Sequence, residues 1–214
     1  MRCRLILSSP AGLLQAGTGA DGGLEAFQTR LLGALARGDV AAFVLRGGGP
    51  AEEAALRAAV EALRGPVQEA GVAFLVEGRA DLAAELGCDG VQVPAVRATV
   101  EAVRRALGAD AIVGTVSAAA PEGPEEDPGE GLRHAAMEAA EAEADYVAFP
   151  AGDLETLSWW AEIMEVPCVA WDADPAEAEA LVETGAEFIA LAPAIWEAAD
   201  PAGLVAQVQA AIDA

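Results

Sequence analysis

The chain has 214 residues and is 54% hydrophobic, enough to bury a substantial core in one large domain or two small ones. Twelve Lys and Arg stand against 35 Asp and Glu, a formal net charge of −23, which argues against nucleic acid and anionic membrane as partners because both require positive charge. Cys3, Cys88 and Cys168 are odd in number, scattered, and set in or beside apolar runs without a CxxC pair, so the expectation is three reduced, buried thiols and no metal centre built from them.

The chain opens with MRCRLILSSP, whose apolar stretch is too short for a secretory leader. No run reaches the ~18 apolar residues of a membrane-spanning helix. A cytoplasmic protein is expected. Short apolar runs then recur: CRLILS at 3–8, AAFVL at 41–45, AFLV at 73–76 and GVQV at 90–93, followed by AIVGT at 111–115, YVAF at 146–149, CVAW at 168–171 and FIAL at 188–191. They lack polar alternation, as strands of a parallel sheet buried on both faces do. Between them lie longer segments rich in Ala, Glu and Leu with helical spacing.

Helix ends are marked as well. Asp153, Asp174 and Asp200 sit where N-caps are wanted, two of them before a proline, and Glu177 completes a capping-box pattern with Asp174. Gly87, Gly108 and Gly185 sit where a left-handed C-cap is wanted. Eight strand–helix units predict a single (β/α)₈ TIM barrel over 1–214. The alternative is an open doubly wound sheet, which lacks support because no GxGxxG follows the first run. Two stretches read as flexible loops: 14–23, and the acidic 117–131 between the fifth run and its helix.

In a barrel the chemistry sits at the C-terminal ends of the strands. Among the charged residues there, Arg46, Glu77 and Asp172 are the candidate catalytic set, with Gly47, Gly48, Gln92 and Ser117 as candidate ligand-binding residues. The triplet Gly47-Gly48-Gly49 can expose backbone N–H groups to an anion, but it has neither the Lys and Ser/Thr of a P-loop nor GxGxxG spacing. Arg46 and Glu77 come from neighbouring strands and are expected to form an ion pair. Glu77 and Asp172 are also the two carboxylates available to a divalent cation, although a hard cation wants more oxygens than two side chains bring. Asp172 sets a like charge where a phosphate would sit. His134, the single histidine, falls on an exposed helix, and no Ser–His–Asp or Cys–His set can be assembled. Trp159 and Trp160 are expected to pack against the barrel or a partner, and Trp171 and Trp196 to flank the mouth.

The order of segments carries a family signal. AFLVEGRADLAAELGCDGVQVP, then IVGTVS, ADYVAF and VPCVAWDADPAEAEALVETGAEFIALAPAI, resembles the thiamine-phosphate synthase and thiazole tautomerase family from about Asp39 onward. The resemblance implies a (β/α)₈ fold. It also implies a transferase that joins an aminopyrimidine diphosphate to a thiazole phosphate, with Mg²⁺ and release of diphosphate. It is carried by framework residues. Of the family's Gln-x-Arg-x-Lys after the second strand only Arg46 matches. The Asn-Asp pair with a Mg²⁺-binding Asp falls on Glu77-Gly78, the second Mg²⁺ Asp on Arg97, and the His of the fourth strand on Gln92. The serine after the fifth strand falls on Val116 beside Ser117, the Gly-Gly of the phosphate cup on Asp172-Ala173, and the last serine on Pro193. The Thr-x-Thr-Lys loop has no counterpart in FPAGDLETLSWW. The expectation is a thiamine-phosphate-synthase-like barrel with a divergent mouth that binds a small molecule, no metal ligands assigned, and the inherited reaction weakened. The alternative is a non-catalytic or repurposed barrel that binds a metabolite or a protein partner. A homo-oligomer is compatible with either.

Overall fold

The computed structural model describes residues 3–10, 12–15, 23–47, 52–117 and 128–214. Its strands are β1 (Arg4–Ser8), β2 (Val40–Leu45), β3 (Ala73–Glu77), β4 (Gly90–Pro94), β5 (Ile112–Val116), β6 (Tyr146–Pro150), β7 (Cys168–Ala173) and β8 (Phe188–Leu191). All pair in parallel in chain order, and β8 returns to β1 to close a barrel. Each coincides with one of the eight apolar runs to within two residues at either end. The helices between them are α1 (Gly23–Leu35), α2 (Glu53–Glu69), α3 (Ala80–Leu86), α4 (Arg97–Leu107), α5 (Pro128–Glu141), α6 (Leu154–Ile163), α7 (Ala178–Glu183) and α8 (Pro201–Ile212). The fold is the TIM barrel that the repeated strand–helix unit implies.

Strand alternation splits the apolar residues between two cores. Ile6, Val44, Leu75, Tyr146, Ala148, Val169, Trp171 and Ala190 fill the barrel interior. Their strand neighbours, such as Leu5, Phe43, Phe74 and Phe149, pack outward against the helices. Both faces are buried, which is why these strands read as unbroken apolar runs. Trp160 belongs to the outer core, fully buried against Phe149 at a ring separation of 5.3 Å, with its indole N–H donating to Val166 O at 2.7 Å. Trp159 is partly buried, and the Arg133 guanidinium lies 5.0 Å over its ring.

The face opposite the mouth has its own device. Asp39, Asp89, Asp145 and Glu187 directly precede β2, β4, β6 and β8. Asp89 accepts from the Phe74 N–H at 2.7 Å, Asp145 from the Val113 N–H at 2.7 Å, and Glu187 from the Cys168 N–H at 2.9 Å. Asp39 accepts instead from the Arg4 side chain at 2.9 Å. Each even strand thus ties its carboxylate to the odd strand before it through a charge-assisted hydrogen bond.

Helix ends follow the sequence signals. Asp153 accepts from Thr156 N–H and Asp200 from Gly203 N–H. Asp174 and Glu177 form the reciprocal capping box, over a 3₁₀ turn at Pro175–Glu177 that leads into α7. Gly87 closes α3 in the left-handed conformation at φ 68°, whereas Gly108 closes α4 at φ 86° and ψ −178°, outside the left-handed helical conformation expected of it. One expectation is corrected: the acidic stretch 117–131 is not loop throughout, because α5 begins at Pro128, with proline at its first position where the missing N–H costs nothing. Residues 118–127 of that stretch, and 16–22 of the other expected loop, lie outside the described residues. Residues 12–15 form a turn and Gly23 already belongs to α1. Among the described residues no helix is long and apolar enough to cross a membrane.

Candidate functional site

The strand ends place Arg46, Glu77 and Asp172 at one mouth, but the pairing differs from the expectation. Arg46 does not pair with Glu77. Its Nη1 donates to Asp172 Oδ1 at 2.9 Å, across from β2 to β7, and its guanidinium lies over the Trp171 ring at 5.7 Å. The cause is local backbone. The β7–β8 register shifts between Ala170 and Ala173, and Asp172 takes the left-handed conformation at φ 58°. Asp and Asn adopt that conformation more readily than most residues. The resulting bulge leaves Trp171 in the interior cluster and Asp172 exposed at the rim. With the two side chains 26% and 45% exposed, the ion pair is worth no more than about 1 kcal/mol to stability.

Glu77 is held by backbone instead. Its Oε2 accepts from the Gly47 N–H at 3.0 Å. Gly47 has φ 108°, a backbone conformation that favours glycine. The peptide that was expected to offer its N–H to a ligand anion offers it to a carboxylate. Gly48 lies outside the described residues. The Arg46 N–H donates to the buried Ser9 hydroxyl at 2.9 Å, which fixes the start of the same loop.

Gln92 pairs in register with Glu77 on β3 and with Gly114 on β5, and it is buried. Its Oε1 accepts from the Tyr146 hydroxyl at 2.7 Å. Tyr146 reaches from β6 across Gly114, whose missing Cβ makes room for the ring. Burial, with a smaller contribution from the Asp145 charge, pushes the phenol well above its usual pKa, so Tyr146 remains a proton donor. Ser117 is buried with its hydroxyl unpartnered among the described residues, as is that of Ser8. Ser117 does not join the Arg46–Asp172 pair. Tyr146 was not among the candidates because it opens its strand rather than ending it. The sequence signal was Gly114, a glycine in the middle of a strand, which marks close approach by a neighbour.

Other residues near the strand ends have partners elsewhere in the fold. Arg97 opens α4 and pairs with Glu101 and Glu141 on the helical layer. Arg79 forms a two-pronged bond with Asp81, which holds that carboxyl down at about 2, and approaches Glu53 at 3.4 Å. Trp196 does not line the mouth freely. It is buried edge-on to Phe27, with its indole N–H donating to Ser8 O at 2.6 Å. His134 is exposed on α5, 3.9 Å from Glu138, as the sequence implied.

The Mg²⁺ implied by the resemblance would look to carboxylates at the mouth. Among the described residues no three His, Cys, Asp or Glu side chains converge. Two described carboxylates at the mouth are engaged separately, Glu77 by a peptide N–H and Asp172 by a guanidinium. Mg²⁺ takes about six oxygens, of which a protein usually supplies one or two carboxylates, with water and substrate phosphates supplying the rest.

Comparison with known proteins places this geometry in context. A family model described as thiamine monophosphate synthase matches residues 17–195. The thiamine-phosphate synthase of Rhodospirillum centenum is 42% identical over 96% of this chain and 94% of its own length. That of Hyphomonas neptunium is 34% identical over 95% of this chain and 91% of its own. Among solved structures, a thiamine phosphate pyrophosphorylase from Pyrococcus furiosus superposes with a TM-score of 0.71 at 21% identity, covering 98% of this chain and 95% of that one.

Proposed function

The chain belongs to the thiamine monophosphate synthase family, and we propose that it uses the family's barrel to hold a small heterocyclic molecule at the mouth without the Mg²⁺-dependent coupling of two phosphorylated precursors. One observation supports this reading: among the described residues Glu77 is held by the Gly47 N–H and Asp172 by Arg46. The groups that would serve a metal and a diphosphate instead neutralise one another. Arg46 is committed to Asp172 and the Gly47 N–H to Glu77, so the two donors best placed for an anion face carboxylates. What the mouth still offers is suited to a flat, uncharged ring: the inward indole of Trp171 under a guanidinium, and buried uncharged polar groups at Ser8, Gln92 and Ser117. Removing one charge-stabilising donor typically lowers a rate by ~100-fold or more. In this reading several are redirected at once.

A second reading is favoured by the 42% identity to a protein named for the reaction: the chain is itself a thiamine-phosphate synthase, a transferase. The two differ in one measurement. Incubation with the aminopyrimidine diphosphate, the thiazole phosphate and Mg²⁺ yields thiamine phosphate under the second reading and none under the first. In both, the partner is a small molecule, in the cytoplasm, with no role for nucleic acid or membrane.

A further inference from the structure

On the face opposite the mouth, a cleft of about 390 Å³ opens between the C-terminal ends of α4 and α5, lined by Glu101, Arg104, Arg105, Glu141, Ala142 and Glu143. Most of its charges are already satisfied. Arg104, with its side chain only 12% exposed, donates to Ala111 O, to Glu143 O and to the Asp145 carboxylate. Arg97 holds both Glu101, at 3.2 Å, and Glu141, at 2.9 Å. Two charges remain. Among the described residues neither the Arg105 guanidinium nor the Glu143 carboxylate has an ion-pair or hydrogen-bond partner.

Glu143 stands there against its local chemistry. Its N–H donates to Ala140 O at 3.0 Å, and the Ala144 N–H donates to Ala139 O at 3.1 Å, the paired bonds of a Schellman end to α5. Glu143 therefore takes the left-handed position, at φ 70°, where glycine is the favoured residue. Its carboxylate also meets the negative pole of α5, whose last turn carries no basic residue. Breaking two local rules with no compensating partner is the pattern of a functional position.

The free charges select the ligand. A lone anion would meet Arg105 but also Glu143, and the single Arg97 does not fully neutralise Glu101 and Glu141. A lone cation would meet Glu143 but also Arg104 and Arg105. A molecule that carries both charges answers both. Ala142 is the one apolar side chain among the described lining residues, so a large hydrocarbon part gains little there. We propose that the α4–α5 cleft binds a small zwitterion, an amino acid whose ammonium and carboxylate lie a few bonds apart. Arg105 takes the carboxylate and Glu143 the ammonium. The site is separate from the mouth and stands whether or not the chain makes thiamine phosphate.

The test uses the full-length ¹⁵N-labelled chain at constant ionic strength. Glycine, β-alanine and 4-aminobutyrate serve as zwitterions, acetate and methylammonium as single charges. NMR follows the Glu143 backbone N–H and the Arg105 Nε–H, the latter assigned by its loss in Arg105→Gln. At least one zwitterion should move both signals and saturate at tens of millimolar. It should bind about fivefold more tightly than either single ion, the worth of one exposed ion pair. Arg105→Gln and Glu143→Gln should each remove that margin. Glu143→Gly should remove it too while raising the melting temperature by about 2–4 °C, because glycine relieves the left-handed position. Equal binding of zwitterions and single ions, an undiminished margin in either glutamine variant, or silence toward every probe overturns the site. A Glu143→Gly variant that loses both the margin and stability would mark Glu143 as structural and overturn its role as a ligand contact.

Discussion

Replacing Gly114 by Ala sets a Cβ inside the space of the Tyr146 ring, against its Cζ, Cε1 and hydroxyl. The strands on either side are in register, Gly114 opposite Gln92 and opposite Tyr146, so the clash cannot be relieved without moving β5 or swinging Tyr146 away. Overpacking of this kind costs ~1–3 kcal/mol. Displacing Tyr146 also separates its hydroxyl from Gln92 Oε1, leaving buried polar groups unpaired at ~1–3 kcal/mol more. The reduced backbone entropy of Ala in the unfolded chain returns at most about 1 kcal/mol. The expected net loss is ~2–4 kcal/mol, a large part of the ~5–15 kcal/mol that holds a typical domain together. The check is a double-mutant cycle in urea unfolding. Tyr146→Leu removes the three atoms that the new Cβ would meet. In that background Gly114→Ala should cost at least about 1.5 kcal/mol less than in the wild type. Equal cost in both backgrounds, or a single-mutant cost under about 0.5 kcal/mol, refutes the packing argument.

Two further predictions concern the rest of the barrel. Asp145→Ala leaves the Val113 N–H without its carboxylate and removes one partner of the largely buried Arg104, so it should cost ~2–4 kcal/mol in urea unfolding, with Asp145→Asn costing less. A loss below about 0.5 kcal/mol for the alanine variant would contradict the strand-clamp role of that carboxylate. Burial pushes the thiols of Cys3 and Cys88 up to about 11 and that of Cys168 to about 12, from an ordinary 9.0. Because the folded state holds these protons more tightly, their contribution to stability is fully present below pH 9 and is lost as pH rises toward 11–12. Stability should therefore fall across that window, and at pH 8 native alkylation by iodoacetamide should be far slower than in urea. Rapid native labelling would contradict the burial.

The barrel was legible because its signals are local. Strands buried on both faces leave apolar runs such as FIAL, and Asp153, Asp174 and Asp200 announce helix starts by their own chemistry. The site was legible as a set of positions and not as a set of bonds. Arg46, Glu77 and Asp172 do end three strands at one mouth, but their partners depend on a bulge at Asp172 and on the N–H of Gly47. A backbone donor carries no side-chain signature, and a left-handed aspartate is not foreseeable without the β7–β8 register. Tyr146 escaped notice because a residue at the start of a strand was assumed to be far from the mouth. Its length carries it past Gly114 to Gln92, a consequence of strand stagger that spacing along the chain does not encode. Arg97 shows the opposite limit: alignment with a family metal ligand did not bring it into the mouth, where the helical layer claims it through Glu101 and Glu141.

One assay is decisive: the purified chain with aminopyrimidine diphosphate, thiazole phosphate and Mg²⁺, with thiamine phosphate followed by mass spectrometry over hours. The engaged carboxylates at Glu77 and Asp172 predict no product above the protein-free control. Thiamine phosphate that accumulates with enzyme concentration and disappears on chelation of the metal would contradict that claim and establish the chain as a working synthase.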